Sequence, residues 1–273
     1  MNEVFDVPAV QAGVAPFLIA LIVATLLRRS RLLGLAVGAG FLTAIALVMG
    51  FSFEPITSVQ KMVVVGVGAT LMVLVLELAD GQPTIRMRVA MALLVGAAAE
   101  WTVLRLLLQQ DLVTALMAGS AAALYLVVLV ESGTAVGEDT VRSSAAALML
   151  GLGAGALALL GASAMLAQIG ISVGAAAGAT LLVQMITGQR AAGWSLALPA
   201  SVVAGLVGLL TVFTGELRWY CLLPMLAIPW ATRLVPAGTR AVWLTAILTA
   251  MAALVPMSLA VGLAWFAAAP LSP

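Results

Sequence analysis

Along this chain, apolar stretches long enough to cross a bilayer follow one another with only brief polar interruptions. Crossing a hydrocarbon core of about 30 Å takes roughly 20 helical residues. Polar punctuation marks off runs at 9–27, 32–51, 62–78, 89–109, 112–130, 145–167, 169–188, 195–214, 217–232 and 241–268. The pattern predicts an all-α polytopic membrane protein of about ten transmembrane helices. Ala145 to Gly188 carries no charge and is too long for one crossing, so it is divided near Gln168 and Gly170. Only Gln109, Gln110 and Asp111 separate the fourth and fifth runs. The ninth run is short, begins at Glu216 and Arg218 and contains Pro224 and Pro229, so it reads either as a crossing or as a re-entrant or broken helix.

Composition makes the solvent explicit. The chain is 64% hydrophobic and 8% charged, with a mean hydropathy of +1.21, whereas a soluble domain carries roughly 25% charged residues. Its 273 residues leave no room for a separate soluble domain. The expected organisation is one membrane-embedded domain over 1–273: helices 1–5 at about 9–130, a linker at 131–144, and helices 6–10 at about 145–268. The lipid bilayer is the expected partner. A net charge of +1 without a basic patch argues against nucleic acid. Histidine is absent and Cys221 is the single cysteine, which removes the usual ligands of haem, iron–sulfur, zinc and copper sites. No cofactor or metal is expected, and Cys221 reads as a packing residue.

Arginines set the expected orientation. Arg28, Arg29, Arg31, Arg86, Arg88, Arg142, Arg190, Arg233 and Arg240 fall in alternate loops, which the positive-inside rule assigns to the cytoplasm. Lys61 and Arg218 fall on the other side, and Arg105 lies within the fourth helix. Both termini are then extracytoplasmic, and the bias toward alanine, glycine and leucine suggests a bacterial plasma (inner) membrane. Glu3 and Asp6, with no basic residue before the first run, are the reverse of a signal-peptide start, so no cleavage is expected. The longest polar segment, Glu131 to Ser144, divides ten crossings into five and five. That count allows an inverted repeat, although no motif in one half matches the other.

Glu100 is the foremost candidate for chemistry, because it lies near mid-bilayer on the fourth run, where an ionisable group costs several kcal/mol unless paired, protonated or wet. Gly96 and Ala97 precede it on one face, so it is expected to point into the bundle as a proton- or cation-binding carboxylate, or as a neutral acid bonded to a neighbouring helix. Arg105, about 140° around the helix, is an interfacial anchor stacked on Trp101 near Asp111, or an anion site. Glu77, Asp80, Glu131, Glu138 and Asp139 gather near the cytoplasmic ends, as an acidic mouth or simply as solvated helix ends.

Gly170, Gly174 and Gly178 recur every four residues and line one side of the seventh helix, a face suited to helix packing or to an oligomer contact. Thr180 and Gln184 form a polar pair at a spacing of four, offered to a second neighbouring helix or to a bound substrate or ion. Pro199, Pro224, Pro229 and Pro256 each interrupt an apolar run and would free a carbonyl. Gly151-Leu-Gly-Ala-Gly155 lacks the lysine and strand context of a phosphate loop, and no nucleophile elbow, HExxH or paired-aspartate motif is present. The chain is therefore not expected to be an enzyme. The leading expectation is a secondary transporter or carrier for a small solute, proton-coupled through Glu100. The alternative is a membrane scaffold or assembly subunit of a larger complex. An intramembrane lipid enzyme stands third, lacking a catalytic constellation. The surroundings of Glu100 discriminate: a water-lined cavity favours transport, and sealing without water favours a scaffold.

Overall fold

The computed structural model describes residues 7–50, 56–78, 85–137, 139–189, 194–215, 217–236 and 241–268, and these are almost entirely helical. The helices are α1 (Ala15–Leu27), α2 (Leu35–Val48), α3 (Ser58–Leu78), α4 (Ile85–Leu107), α5 (Leu112–Thr134), α6 (Thr140–Leu160), α7 (Ala164–Thr187), α8 (Ala197–Thr214), α9 (Leu223–Arg233) and α10 (Val242–Ala268). A π-helical turn, Val10–Val14, lengthens α1, and 3₁₀ turns at Arg31–Gly34 and Trp219–Leu222 precede α2 and α9. Among the described residues, nine of these spans are long and apolar enough to cross a membrane. The chain is a multi-pass helical membrane protein.

Local capping decides where helices stop, and it moves three of the expected boundaries. Asp111 accepts from the Thr114 N–H at 3.0 Å and starts α5. That bond holds its carboxyl below the usual carboxylate range. Asp139 accepts from the Val141 N–H at 3.1 Å and starts α6 at Thr140, while α5 runs on to Thr134, so the expected linker 131–144 shrinks to 135–139. The break in the uncharged stretch is not at Gln168 and Gly170. It falls at Gly161–Ser163, where Ala162 takes φ +59° and the Ser163 hydroxyl accepts from the Leu166 N–H. Pro224 also departs from expectation. Both it and Pro199 lie in the first turn of their helices; Pro224 stands where the N–H would be unpaired anyway, while Pro199 sits between the Leu198–Trp194 and Ala200–Leu196 bonds and leaves out the one between them. Pro229 and Pro256 are interior.

Helix α8 is the hub. Of its 18 residues, 83% are buried, and it packs on α3, α4, α5, α6 and α7. In lipid this packing rests on close van der Waals contact and not on hydrophobic exclusion, and small residues permit it. A Cβ on Gly133 of α5 would stand 2.2 Å from the Ser201 Oγ of α8, and one on Gly205 of α8 would stand 2.4 Å from Leu126 of α5. Helices α7, α8, α9 and α10 surround α6, and α1 and α2 lie against α7. Some contacts recur between the first five and the last five helices. The pairs α1–α2 and α6–α7 correspond, as do α4–α5 and α9–α10, and α2 meets α7 as α3 meets α8. The packing of α6 on α8, α9 and α10 has no comparable counterpart around α1.

Helix α9 has eleven residues, only about 16 Å of rise. Its 3₁₀ leader brings Leu222 against Gly208, just past the middle of α8, and Arg233 donates to the Ala135 carbonyl beyond the end of α5 at 2.7 Å. The segment is not among the nine spans long enough to cross a membrane.

Candidate functional site

Helix α4 carries its ionisable side chains on the outside of the bundle. Its buried arc is Met91, Val95, Gly96, Ala99, Thr102, Val103 and Leu107, and Gly96 faces Ala123 and Val127 of α5. Ala97, Glu100 and Arg105 lie on the exposed arc. The expectation that Glu100 points into the bundle is corrected: Gly96 marks the buried edge of the helix, and Glu100, 40° further round, falls just outside it. Glu100 stands four residues past the midpoint of a 23-residue helix, about 6 Å from its centre along the axis, against a half-thickness of about 15 Å for a bilayer's hydrocarbon core. Neither Glu100 nor Arg105 has an ion-pair partner among the described residues.

The cation over Trp101 is Lys61, not Arg105. Lys61, in the first turn of α3, is 7% exposed, donates from Nζ to the Trp101 carbonyl at 2.9 Å and lies 5.3 Å from the indole centroid. Sequence reasoning left Lys61 as an outer-loop charge; the apolar run that begins at the very next residue was the available signal. Asp111, expected near Arg105, is committed to its cap.

The glycine face is occupied within the chain. A Cβ on Gly170 would stand 2.5 Å from the Gly155 nitrogen, and one on Gly151 would stand 2.3 Å from the Gly174 nitrogen. Backbone meets backbone, so this face receives α6 and not an oligomer partner. Gly178 meets only Leu148, at 3.4 Å. The segment Gly151–Gly155, dismissed as a phosphate loop, is the matching surface, and its spacing of four is the same as that of Gly170 and Gly174.

Thr180 and Gln184 do not act as a pair. The Thr180 hydroxyl donates to the Ala176 carbonyl of its own helix at 3.0 Å. Gln184 is 1% exposed, and both polar atoms of its amide lack partners, as do the hydroxyls of Thr140 and Ser144 on α6. The antiparallel register Gly151–Gly174 and Gly155–Gly170, continued toward the start of α6, puts Val141 level with Gln184, Thr140 level with Met185 and Ser144 level with Leu181. Two further spaces, one between α2, α3, α7 and α8 and one between α5, α6 and α8, do not admit a water molecule.

Two of the acids expected at a mouth, Glu77 and Asp139, bind neighbouring chain segments. The Glu77 carboxylate, at the end of α3, accepts from the backbone N–H groups of Trp194 and Ser195, the latter at 3.2 Å, where the chain enters α8. The Ser195 hydroxyl donates to the Arg31 carbonyl at 2.7 Å and accepts from the Gly34 N–H at 3.1 Å, while Arg88 stacks on Trp194 at 5.6 Å. Asp139 pairs with Arg142 at 3.7 Å, and Arg142 donates to the Val235 carbonyl. Asp80 and Glu138 lie outside the described residues. This arginine-bearing end is held by bonds between α2, α3, α4 and α8. No protein family, curated protein or solved structure matches this chain.

Proposed function

We propose that this chain is an assembly subunit of the bacterial plasma membrane whose outward α4 face receives another transmembrane helix. The observation that carries the reading is the carboxylate of Glu100, exposed on the outside of the bundle within the hydrocarbon zone. A charged group facing lipid at that depth costs about 3 kcal/mol or more, and an adjoining helix that pairs with it removes the cost. A photoreactive amino acid at Ala97, beside Glu100, is expected to cross-link to protein in native membranes, while the same probe at Val255 on the exposed face of α10 labels lipid. Labelling of lipid alone at both positions would end this reading. Arginine placement supports both termini on the extracytoplasmic side, with α9 as a crossing. Reporter fusions after Pro273 and after Arg29 should report opposite sides, and agreement between them would remove one crossing.

A second reading, a carrier for a small solute, is favoured by the buried, unpartnered amide of Gln184. A buried polar group left unpaired costs about 1–3 kcal/mol, which a polar solute would relieve. In the assembly reading Glu100→Gln leaves potential-driven proton uptake by proteoliposomes unchanged. Loss of uptake in folded Glu100→Gln protein would instead favour a proton-coupled carrier.

A further inference from the structure

Resting on the reading that another helix covers α4, we infer that this helix is α4 of a second copy, packed in parallel about a twofold axis along the membrane normal. Copies inserted by the same rule share one orientation, so such an axis brings α4 against α4 in parallel, and closed twofold dimers are the commonest assembly. In a parallel helix pair with a seven-residue repeat, two positions form the seam, and the flanking positions five residues apart pair across it. Helix α4 has this layout on its exposed side. Leu94, Trp101 and Leu108 repeat every seven residues, Ala97 and Leu104 fill the alternate seam positions, and all five are exposed. Together they span about 80° of the helix surface. Glu100 immediately precedes the Trp101 seam position on one flank, and Arg105 follows Leu104 on the other.

Glu100 and Arg105 are five residues apart, the spacing at which an acid on one helix meets a base on its parallel partner. The rise between them is about 7.5 Å, within reach of an arginine side chain. The twofold axis makes the pair twice, so one face satisfies both charges of both copies with no foreign residue. Ala97 lets the backbones approach at the level of the acid, and Lys61 holds the Trp101 ring from behind. The exposed faces of α1 and α10 offer lipid no charged side chain: they carry Leu18, Ile22, Met251 and Val255, with Thr25 and Ser258 as their polar members.

The test uses the full chain with Cys221→Ala and single cysteines in native membranes. Oxidation of Ala97→Cys and of Leu104→Cys is expected to give a dimer-sized product, and oxidation of Val255→Cys none. Glu100→Arg should lower the dimer yield roughly tenfold through loss of two symmetric pairs, and Glu100→Arg with Arg105→Glu should restore it. Arg105→Gln, nearer the helix end and milder for folding, should lower the yield severalfold; size-exclusion profiles confirm that each variant is folded. A cross-link from Ala97 to a protein of another size would overturn the second copy while leaving a helix on α4. No protein product at either seam position would overturn both readings. A dimer indifferent to Glu100→Arg and to Arg105→Gln would overturn the charge pairing.

Discussion

Gly170→Leu and Gly151→Leu are each expected to destabilise the bundle in detergent by about 3 kcal/mol or more, whereas Gly68→Leu leaves its melting temperature nearly unchanged. Even one methyl at Gly170 or Gly151 would stand 2.5 or 2.3 Å from backbone nitrogen of the facing helix, and backbone cannot rotate aside. Forcing bulk into a packed contact typically costs 1–3 kcal/mol, more when two helices must separate, so leucine lies at the upper end. Gly68 has open space where its Cβ would be and sits on an exposed face. Gly174→Leu belongs with the damaging pair, since its added Cβ would stand 2.9 Å from the Leu152 nitrogen; Gly178→Ala, with only a side-chain methyl 3.4 Å away, should be mild. Equal melting temperatures for Gly170→Leu and Gly68→Leu would mean that α6 and α7 do not meet as described.

Glu77→Ala is expected to cost about 2–3 kcal/mol, because it strips the acceptor from two N–H groups at the entry to the most buried helix. Glu77→Gln keeps one carbonyl oxygen in place and should recover at least half of the loss. The readout is again thermal unfolding in detergent, with protease cutting between Gln189 and Trp194 as a local probe. Cutting that is no faster in Glu77→Ala than in wild type would show that the carboxylate does not hold that entry.

The helical membrane architecture was legible because apolar length and charged punctuation are direct consequences of bilayer thickness. Charged residues marked the ends of α3, α4, α8 and α9 to within a few residues. Where charge was absent, from Ala145 to Gly188, the boundary was misplaced, because a Gly–Ala–Ser turn with a serine cap is a weak signal inside an apolar run. The facing of each helix was harder still. In water an amphipathic pattern separates inside from outside, but in lipid both sides of a helix are apolar. Gly96 and Ala97 therefore looked like one face, although Gly96 meets α5 and Ala97 looks outward. The glycine repeat in α7 was legible as a close contact. Its partner in α6 was visible in the same spacing but was weighed only as a phosphate loop. Long-range locks such as Glu77 with Trp194 and Ser195, more than a hundred residues apart, have no local sequence signature.

The central place of α8 also bears on the order of synthesis. Ribosomes deliver the chain from the N-terminus, so α3, α5, α6 and α7 are in the membrane before the helix that they enclose has been made. Until Trp194 and Ser195 emerge, Glu77 lacks its N–H partners, and until α8 follows, Gly133 and Leu126 lack the residues they pack against. The α6–α7 contact and the packing of α1 and α2 on α7 need nothing from α8 and can form first, whereas the arrangement of α3, α5 and α6 around the middle is completed only when α8 arrives. A stop before residue 197 would leave a fragment that keeps the glycine contact and lacks its central helix.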